Sequence, residues 1–152
     1  WSKYEPENEG ILIAYASIHG NTAAAAKKLA EILEAKGAPK VVVADLSRDD
    51  MAEVIEDAFR YDRLLLATTT YNGDVFPFMR EFIESLTERN YQKRTIGLIE
   101  NGSWAATAAK VMRQLFEKSK EITFTETTVK IMSALNEEST TQLENLAEEL
   151  CK

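Results

Sequence analysis

In 152 residues the chain has one cysteine, Cys151, and one histidine, His19. A single thiol cannot form an internal disulfide, which fits a reducing compartment, so a cytoplasmic setting is expected. Cys151 stands near the chain end with no base beside it in sequence and reads as inert. Basic excess is also missing: 18 Lys and Arg face 25 Asp and Glu, a net charge of −7. That balance argues against a nucleic-acid or anionic-membrane partner, since phosphate-rich surfaces demand a basic face. No apolar run approaches bilayer-spanning length. Internal repeats and low-complexity segments are absent. The opening WSKYEPENEG (residues 1–10) lacks both an initiator methionine and a signal-peptide pattern, and reads as the tail of a connector, so the chain is expected to be a piece of something longer. What is present, 45% hydrophobic and 28% charged residues, suits one globular domain with a real core.

Strand-like and helix-like patterns alternate five times. Residues 11–16 (Ile-Leu-Ile-Ala-Tyr-Ala) are apolar throughout, as in a strand buried on both faces. A helix over about 22–36 follows, with Ala26, Leu29, Ala30 and Leu33 on one stripe, closed by Gly37 and Pro39. Strand 40–46 leads to a helix that Ser47 could cap and that runs through Phe59, with Met51, Val54, Ile55 and Ala58 inward. Strand 63–69 and a loop at 70–76 precede a helix opened by Pro77, whose expected inward stripe is Phe78, Phe82, Ile83 and Leu86. Strand 94–99, a loop at 100–104 and a helix over 105–118 come next. Residues 122–131 suggest a fifth strand interrupted near Glu126, and a last helix spans 137–150, capped by Asn136 or Ser139, with Leu143, Leu146, Ala147 and Leu150 inward. The alternation predicts an α/β three-layer sandwich: a five-stranded parallel sheet with helices on both faces. Strand order 2-1-3-4-5 and the Rossmann order remain open on this pattern, and both put ligands at the carboxyl ends of the strands.

Three loops follow strands one, three and four, which are neighbours in the order 2-1-3-4-5. The first, Ser17-Ile18-His19-Gly20-Asn21-Thr22, joins a buried strand to a helix. Free N–H groups and the positive dipole end of that helix, with the donors of Ser17, Asn21 and Thr22 and the backbone freedom of Gly20, make a phosphate cradle. The second carries Thr69, Thr70, Tyr71, Asn72, Gly73 and Phe76; the third carries Asn101, Gly102, Ser103 and Trp104. A phosphate site beside aromatics suits a phosphorylated planar ligand, and flavin mononucleotide (FMN) has that shape. A P-loop would need a lysine where Asn21 stands, and a dinucleotide fingerprint needs three glycines where only Gly20 is present. A phosphate-accepting receiver domain would need acidic groups where the strands end in Ala16-Ser17 and Thr68-Thr69.

The first loop, with Ala26 four residues on, resembles the phosphate loop of the flavodoxin family. The stretch Thr69-Thr70-Tyr71-Asn72-Gly73-Asp74-Val75-Phe76-Pro77 resembles, more narrowly, the second flavin loop of flavodiiron proteins, also called A-type flavoproteins. Trp104, before Ala105-Ala106, is similar to the aromatic of their third loop, and Trp1-Ser2-Lys3-Tyr4 resembles the end of their interdomain connector. This resemblance covers nearly the whole chain. It implies the flavodoxin-like order 2-1-3-4-5, an FMN-binding domain over 11–152, and a parent chain with an N-terminal metallo-β-lactamase-like diiron domain that reduces oxygen or nitric oxide. It implies as partners a redox donor such as rubredoxin or a flavin reductase, the parent's diiron domain, and head-to-tail pairing into a homodimer. One histidine and no His-x-Glu-x-Asp-His run mean that the diiron domain is not in this sequence, so no catalytic or metal-ligating residue is assigned. His19 and Ala105-Ala106 depart from many relatives. A stand-alone flavin-dependent NAD(P)H or quinone reductase is the alternative.

Each residue also has a plainer reading. The first loop could be an ordinary strand-to-helix turn, since Asn and Thr favour helix starts. Tyr71, Phe76 and Trp104 could be core or surface aromatics, and His19 a loop residue with a satisfied ring. Thr68, Thr69 and Thr70 could be strand formers only. Asp74 and Glu100 could be solvated; close to a flavin they would disfavour its anionic reduced form.

Overall fold

The computed structural model describes residues 8–16, 21–38, 40–46, 48–71, 74–75, 77–89, 91, 94–101, 108–117, 119, 122–131 and 137–150. Its elements run β1 (Asn8–Ala16), α1 (Asn21–Ala35), β2 (Val41–Asp45), α2 (Met51–Arg60), β3 (Tyr61–Tyr71), β4 (Asp74–Val75), α3 (Pro77–Glu88), β5 (Arg94–Asn101), α4 (Ala108–Leu115), β6 (Ile122–Ile131) and α5 (Glu137–Leu150). The sheet order is β2-β1-β3-β5-β6 with every neighbour parallel, and the short β4 pairs antiparallel with β3. With β4 set aside, the parallel strands stand in chain order 2-1-3-4-5, the flavodoxin-like arrangement.

Alternation along the strands divides the core in two. Leu12, Ala14, Ala16, Leu64, Leu66, Ile96 and Leu98 face α2, α3 and α4. Ile11, Ile13, Tyr15, Leu65, Ala67, Ile99 and Val129 face α1 and α5. This is why the central strands read as unbroken apolar runs. Each fully buried Leu, Ile or Phe here stabilises the fold by about 1.5–3 kcal/mol.

Helix boundaries follow local chemistry. Gly37, at φ 87°, lets α1 close: Ala38 N–H donates to Leu33 O and Gly37 N–H to Glu34 O, both at 3.1 Å, the paired bonds of a Schellman motif. The cap of α2 is Asp50, not Ser47, which lies outside the described residues; the Asp50 carboxylate accepts from Ala52 N–H at 3.0 Å, within reach of the second helical amide. On α3, Met79, Phe82, Ile83 and Leu86 are buried and Phe78 is 40% exposed. Met79 starts an i, i+3, i+4, i+7 stripe, whereas Phe78 lies about 100° around the helix from it. Ser139 falls inside the first turn of α5 and so cannot be its cap; Asn136 lies outside the described residues. Two strands differ from expectation. β1 begins at Asn8, taking in three residues of the expected connector, and Gly10 is held by a 3.1 Å bond from its N–H to Asp62 Oδ1. A Cβ at Gly10 would lie 2.6 Å from Tyr61 Cδ1, so a side chain there would force the Tyr61 ring to shift. β6 is continuous, and the break expected near Glu126 is a bulge: Ile96 pairs with Phe124 but Leu98 with Thr128, so Gly97 alone spans Thr125, Glu126 and Thr127.

Below the sheet's amino end, buried Arg94 ties α2 to β5. Its Nε donates to Tyr61 O at 3.0 Å and its Nη2 to Phe59 O at 2.7 Å, satisfying carbonyls at the end of α2. Its guanidinium stacks 5.1 Å from the Tyr91 ring and 5.9 Å from that of Phe59. Burial lowers the Arg94 pKa from its ordinary value, opposed by Tyr91 and Asp62. The Tyr91 hydroxyl is buried with no hydrogen-bond partner among the described residues, and burial pushes its pKa well up, with Arg94 opposing and Asp62 adding to the rise.

Candidate cofactor-binding rim

β1, β3 and β5 are adjacent, and their carboxyl ends stand level. Ala16 pairs with Thr68, Thr68 with Glu100, and Thr69 with Asn101. At strand spacings of about 4.8 Å, the three chain exits lie within about 10 Å of one another. The three loops singled out in the sequence therefore leave one edge side by side. Alternation places Ala16, Thr68 and Glu100 on the face of Leu66 and Leu98, the face of α2, α3 and α4. Thr68 is fully buried and Glu100 is 2% exposed.

Helix starts sharpen the picture. The helices that follow β1, β3–β4 and β5 are α1, α3 and α4, and none has an acidic residue in its first turn. By contrast α2 is capped by Asp50 and carries Glu53 in its first turn, and α5 opens with Glu137-Glu138. Carboxylates at a helix start neutralise the positive dipole end. Among the described residues, the first turns of α1, α3 and α4 therefore hold no carboxylate against the positive helix end, whereas the start of α2, after the outer strand β2, holds two. In the first turn of α1, Thr22 is fully buried. Its hydroxyl, the α1 amides and the acid-free turns form a donor set that fits a phosphate monoester held without lysine or arginine.

Among the predicted site residues, Asn21 and Thr22 open α1, Thr69, Thr70 and Tyr71 end β3, and Asn101 ends β5. Ser17, Ile18, His19, Gly20, Asn72, Gly73, Phe76, Gly102, Ser103 and Trp104 lie outside the described residues. Thr70 pairs with Val75 and Tyr71 with Asp74, so β3 and β4 form a hairpin connected across Asn72-Gly73. The expected plain loop over 70–76 is thus partly strand. An Asn-Gly pair between strand formers is a strong hairpin signal, and it was available in the sequence. Glu100 was expected to be solvated on its plainer reading; the structure buries it. Beside the rim, the Tyr15 phenol is pushed up by burial first and then by Asp45 and Asp49, against Arg48. Elsewhere, a cavity of about 620 Å³ lies between α2 and α3, and the described residues that line it, Met51, Ile55, Phe59, Ser85 and Arg89 among them, include none from β1, β3 or β5.

Sheet order and helix placement together define a flavodoxin-like α/β protein. The chain belongs to the Flavodoxin domain family, whose model matches residues 12–130. Family and fold imply a flavin cofactor and an electron-transfer role. Among solved structures, rubredoxin oxygen:oxidoreductase from the anaerobe Desulfovibrio gigas superposes with a TM-score of 0.90 at 17% identity, over 99% of this chain and 37% of that one. The flavodiiron protein from Giardia intestinalis gives 0.84 at 16% identity, over 99% and 38%. A flavodoxin from the domain Archaea gives 0.79 at 17% identity, over 93% and 96%. No curated protein sequence matches. The chain spans a little over a third of the flavodiiron-type chains it resembles. Among the described residues no helix is long and apolar enough to cross a membrane.

Proposed function

We propose that this chain is an FMN-binding electron-transfer domain of the flavodiiron type, working in the cytoplasm as one part of a longer oxygen or nitric oxide reductase. The observation that carries the reading is the level row of three strand ends, each followed in the chain by a helix with no acidic residue in its first turn. Bound FMN supplies one- and two-electron chemistry; the protein positions it and tunes it. The segment Ser17 to Thr22 would hold the phosphate. Thr69, Thr70, Tyr71, Asn72, Gly73 and Phe76, with Asn101, Gly102, Ser103 and Trp104, would hold the ribityl chain and the ring. Electrons would come from a redox donor such as rubredoxin or a flavin reductase and pass to the diiron domain of the parent chain, across a homodimer.

The test is to add FMN to the purified domain, remove the excess by gel filtration, and record the visible spectrum. Retained flavin bands with no steady turnover of NAD(P)H are the expected result. A colourless protein would defeat the reading, and steady turnover would favour the stand-alone reductase.

A further inference from the structure

The two outer strands of the sheet differ. β6 carries the bulge at residues 125–127, a device that disturbs pairing along an open edge. β2 keeps an unbroken register with β1, from Ile11 opposite Val41 to Tyr15 opposite Asp45. It is apolar in its middle, Val41-Val42-Val43, and Val43 is 37% exposed. Backbone direction alternates along it. Ile11 N–H donates to Lys40 O and Leu46 N–H to Tyr15 O, each at 2.9 Å, so Lys40, Val42, Ala44 and Leu46 turn their backbone groups to β1. Val41, Val43 and Asp45 turn theirs outward. Those of Asp45 are used locally: its N–H donates to Asp49 Oδ2 at 2.7 Å, and its carbonyl accepts from Asp49 N–H at 2.8 Å and Arg48 N–H at 3.1 Å. The outward groups of Val41 and Val43 have no hydrogen-bond partner among the described residues.

We propose that this stretch of β2 is an interface for a second copy of the chain, docked antiparallel about a twofold axis at Val42. In that register Val41 of each copy stands opposite Val43 of the other, and each pair exchanges two N–H···O bonds. All four outward groups of each chain are then satisfied, and β-branched side chains meet across the junction. Neighbouring registers fail. A shift of two residues one way sets Val41 against Asp45, whose groups are already used. The same shift the other way sets Val43 against Pro39, which has no N–H. Charge selects the antiparallel sense. Lys40 stands at one end of β2, whereas at the other Asp45, Asp49 and Asp50 outnumber Arg48. Antiparallel docking turns each basic end toward the copy's acidic end; parallel docking would set like beside like. The contact closes on itself, as a twofold interface does, and uses no residue of the rim.

Light scattering of the chain at about 0.15 M salt, from about 1 µM to about 1 mM, gives the mass, and hydrogen exchange at both limits gives the register. The expected mass rises from one chain to two. The amides of Val41 and Val43 become protected as it does, while those of Val42 and Ala44 are protected throughout by β1. Val43→Lys sets a charge in the edge and Val43→Pro deletes only an outward N–H. Each should raise the dimer dissociation constant at least tenfold, with slow exchange at Val42 and Ala44 showing that β2 still pairs with β1. Should V43P lose that pairing, V43K decides. Thr123→Lys, an exposed position on β6, adds the same charge to the other edge and should leave the constant unchanged. A single-chain mass at about 1 mM would overturn the proposal. So would a dimer that V43K leaves intact or T123K weakens equally, or protection at Val41 and Val43 that does not depend on concentration.

Discussion

Thr22 offers the sharpest test of the phosphate seat. It is fully buried in the first turn of α1, a turn without acidic residues. Thr22→Val keeps the shape and β-branching and deletes the hydroxyl. A hydrogen bond to a charged group contributes about 1.5–3 kcal/mol. Its loss should therefore weaken FMN binding about 10- to 150-fold. Riboflavin, which lacks the phosphate, provides the internal control. Its weaker binding should change less than about threefold in the same variant, since only the ring and ribityl contacts remain. Thr22→Ser should recover most of the FMN affinity. Fluorescence titration of both ligands against wild type, T22V and T22S completes the cycle. Equal losses for FMN and riboflavin would show that Thr22 supports the rim only structurally, and no loss for either would refute a phosphate seat at this turn.

Tyr91→Phe should raise stability by about 1–3 kcal/mol, because the buried hydroxyl that it removes has no partner among the described residues; a urea melt at neutral pH checks the sign. The folded-state pKa of Tyr91 is raised above its ordinary value of 10.0, so its contribution is fully present below pH 10 and is lost as pH rises above that. Wild type should accordingly lose more stability than Y91F above pH 10, and parallel alkaline profiles would contradict this. Arg94→Met should cost about 3 kcal/mol or more by orphaning the Phe59 and Tyr61 carbonyls, read as a lower urea midpoint with the m-value unchanged. Met79→Ala should cost about 2–5 kcal/mol and Phe78→Ala less than about 1 kcal/mol, a contrast that thermal melts would reverse if the expected Phe78 stripe were right.

Strand and helix order was legible because this fold writes itself in periodicity. The apolar runs at Ile11–Ala16 and Leu64–Ala67 are buried on both faces, and the stripe Leu143, Leu146, Ala147, Leu150 is fully buried. Boundaries were harder where two solutions satisfy the same chemistry. Ser47 and Asp50 are both good caps, and only tertiary packing of Val54, Ile55, Ala58 and Phe59 decides where α2 starts. Phe78 is more hydrophobic than Met79 in the usual sense, but the angular position on α3 decides burial. The bulge opposite Gly97 could not be read from β6 alone, since it is a register shift between β5 and β6; Gly97 itself is closely packed, with a Cβ there lying 2.9 Å from Leu65 Cδ1 and 3.0 Å from Leu146 Cδ1. At the rim, the loop residues announced themselves by type and spacing. The burial of Thr22, Thr68 and Glu100 did not, because polar residues at strand and helix ends are ordinarily wet.

The central claim is that a flavin sits where β1, β3 and β5 end. Amide shift mapping by NMR on the labelled domain, titrated with FMN, tests it most directly. The account predicts saturable perturbations centred on the amides of Ala16, Asn21, Thr22, Thr68 to Tyr71, Glu100 and Asn101, with little change along α2 and the far half of α5. Perturbations centred instead on the α2–α3 cavity around Ile55 and Arg89, or spread without saturation, would contradict it.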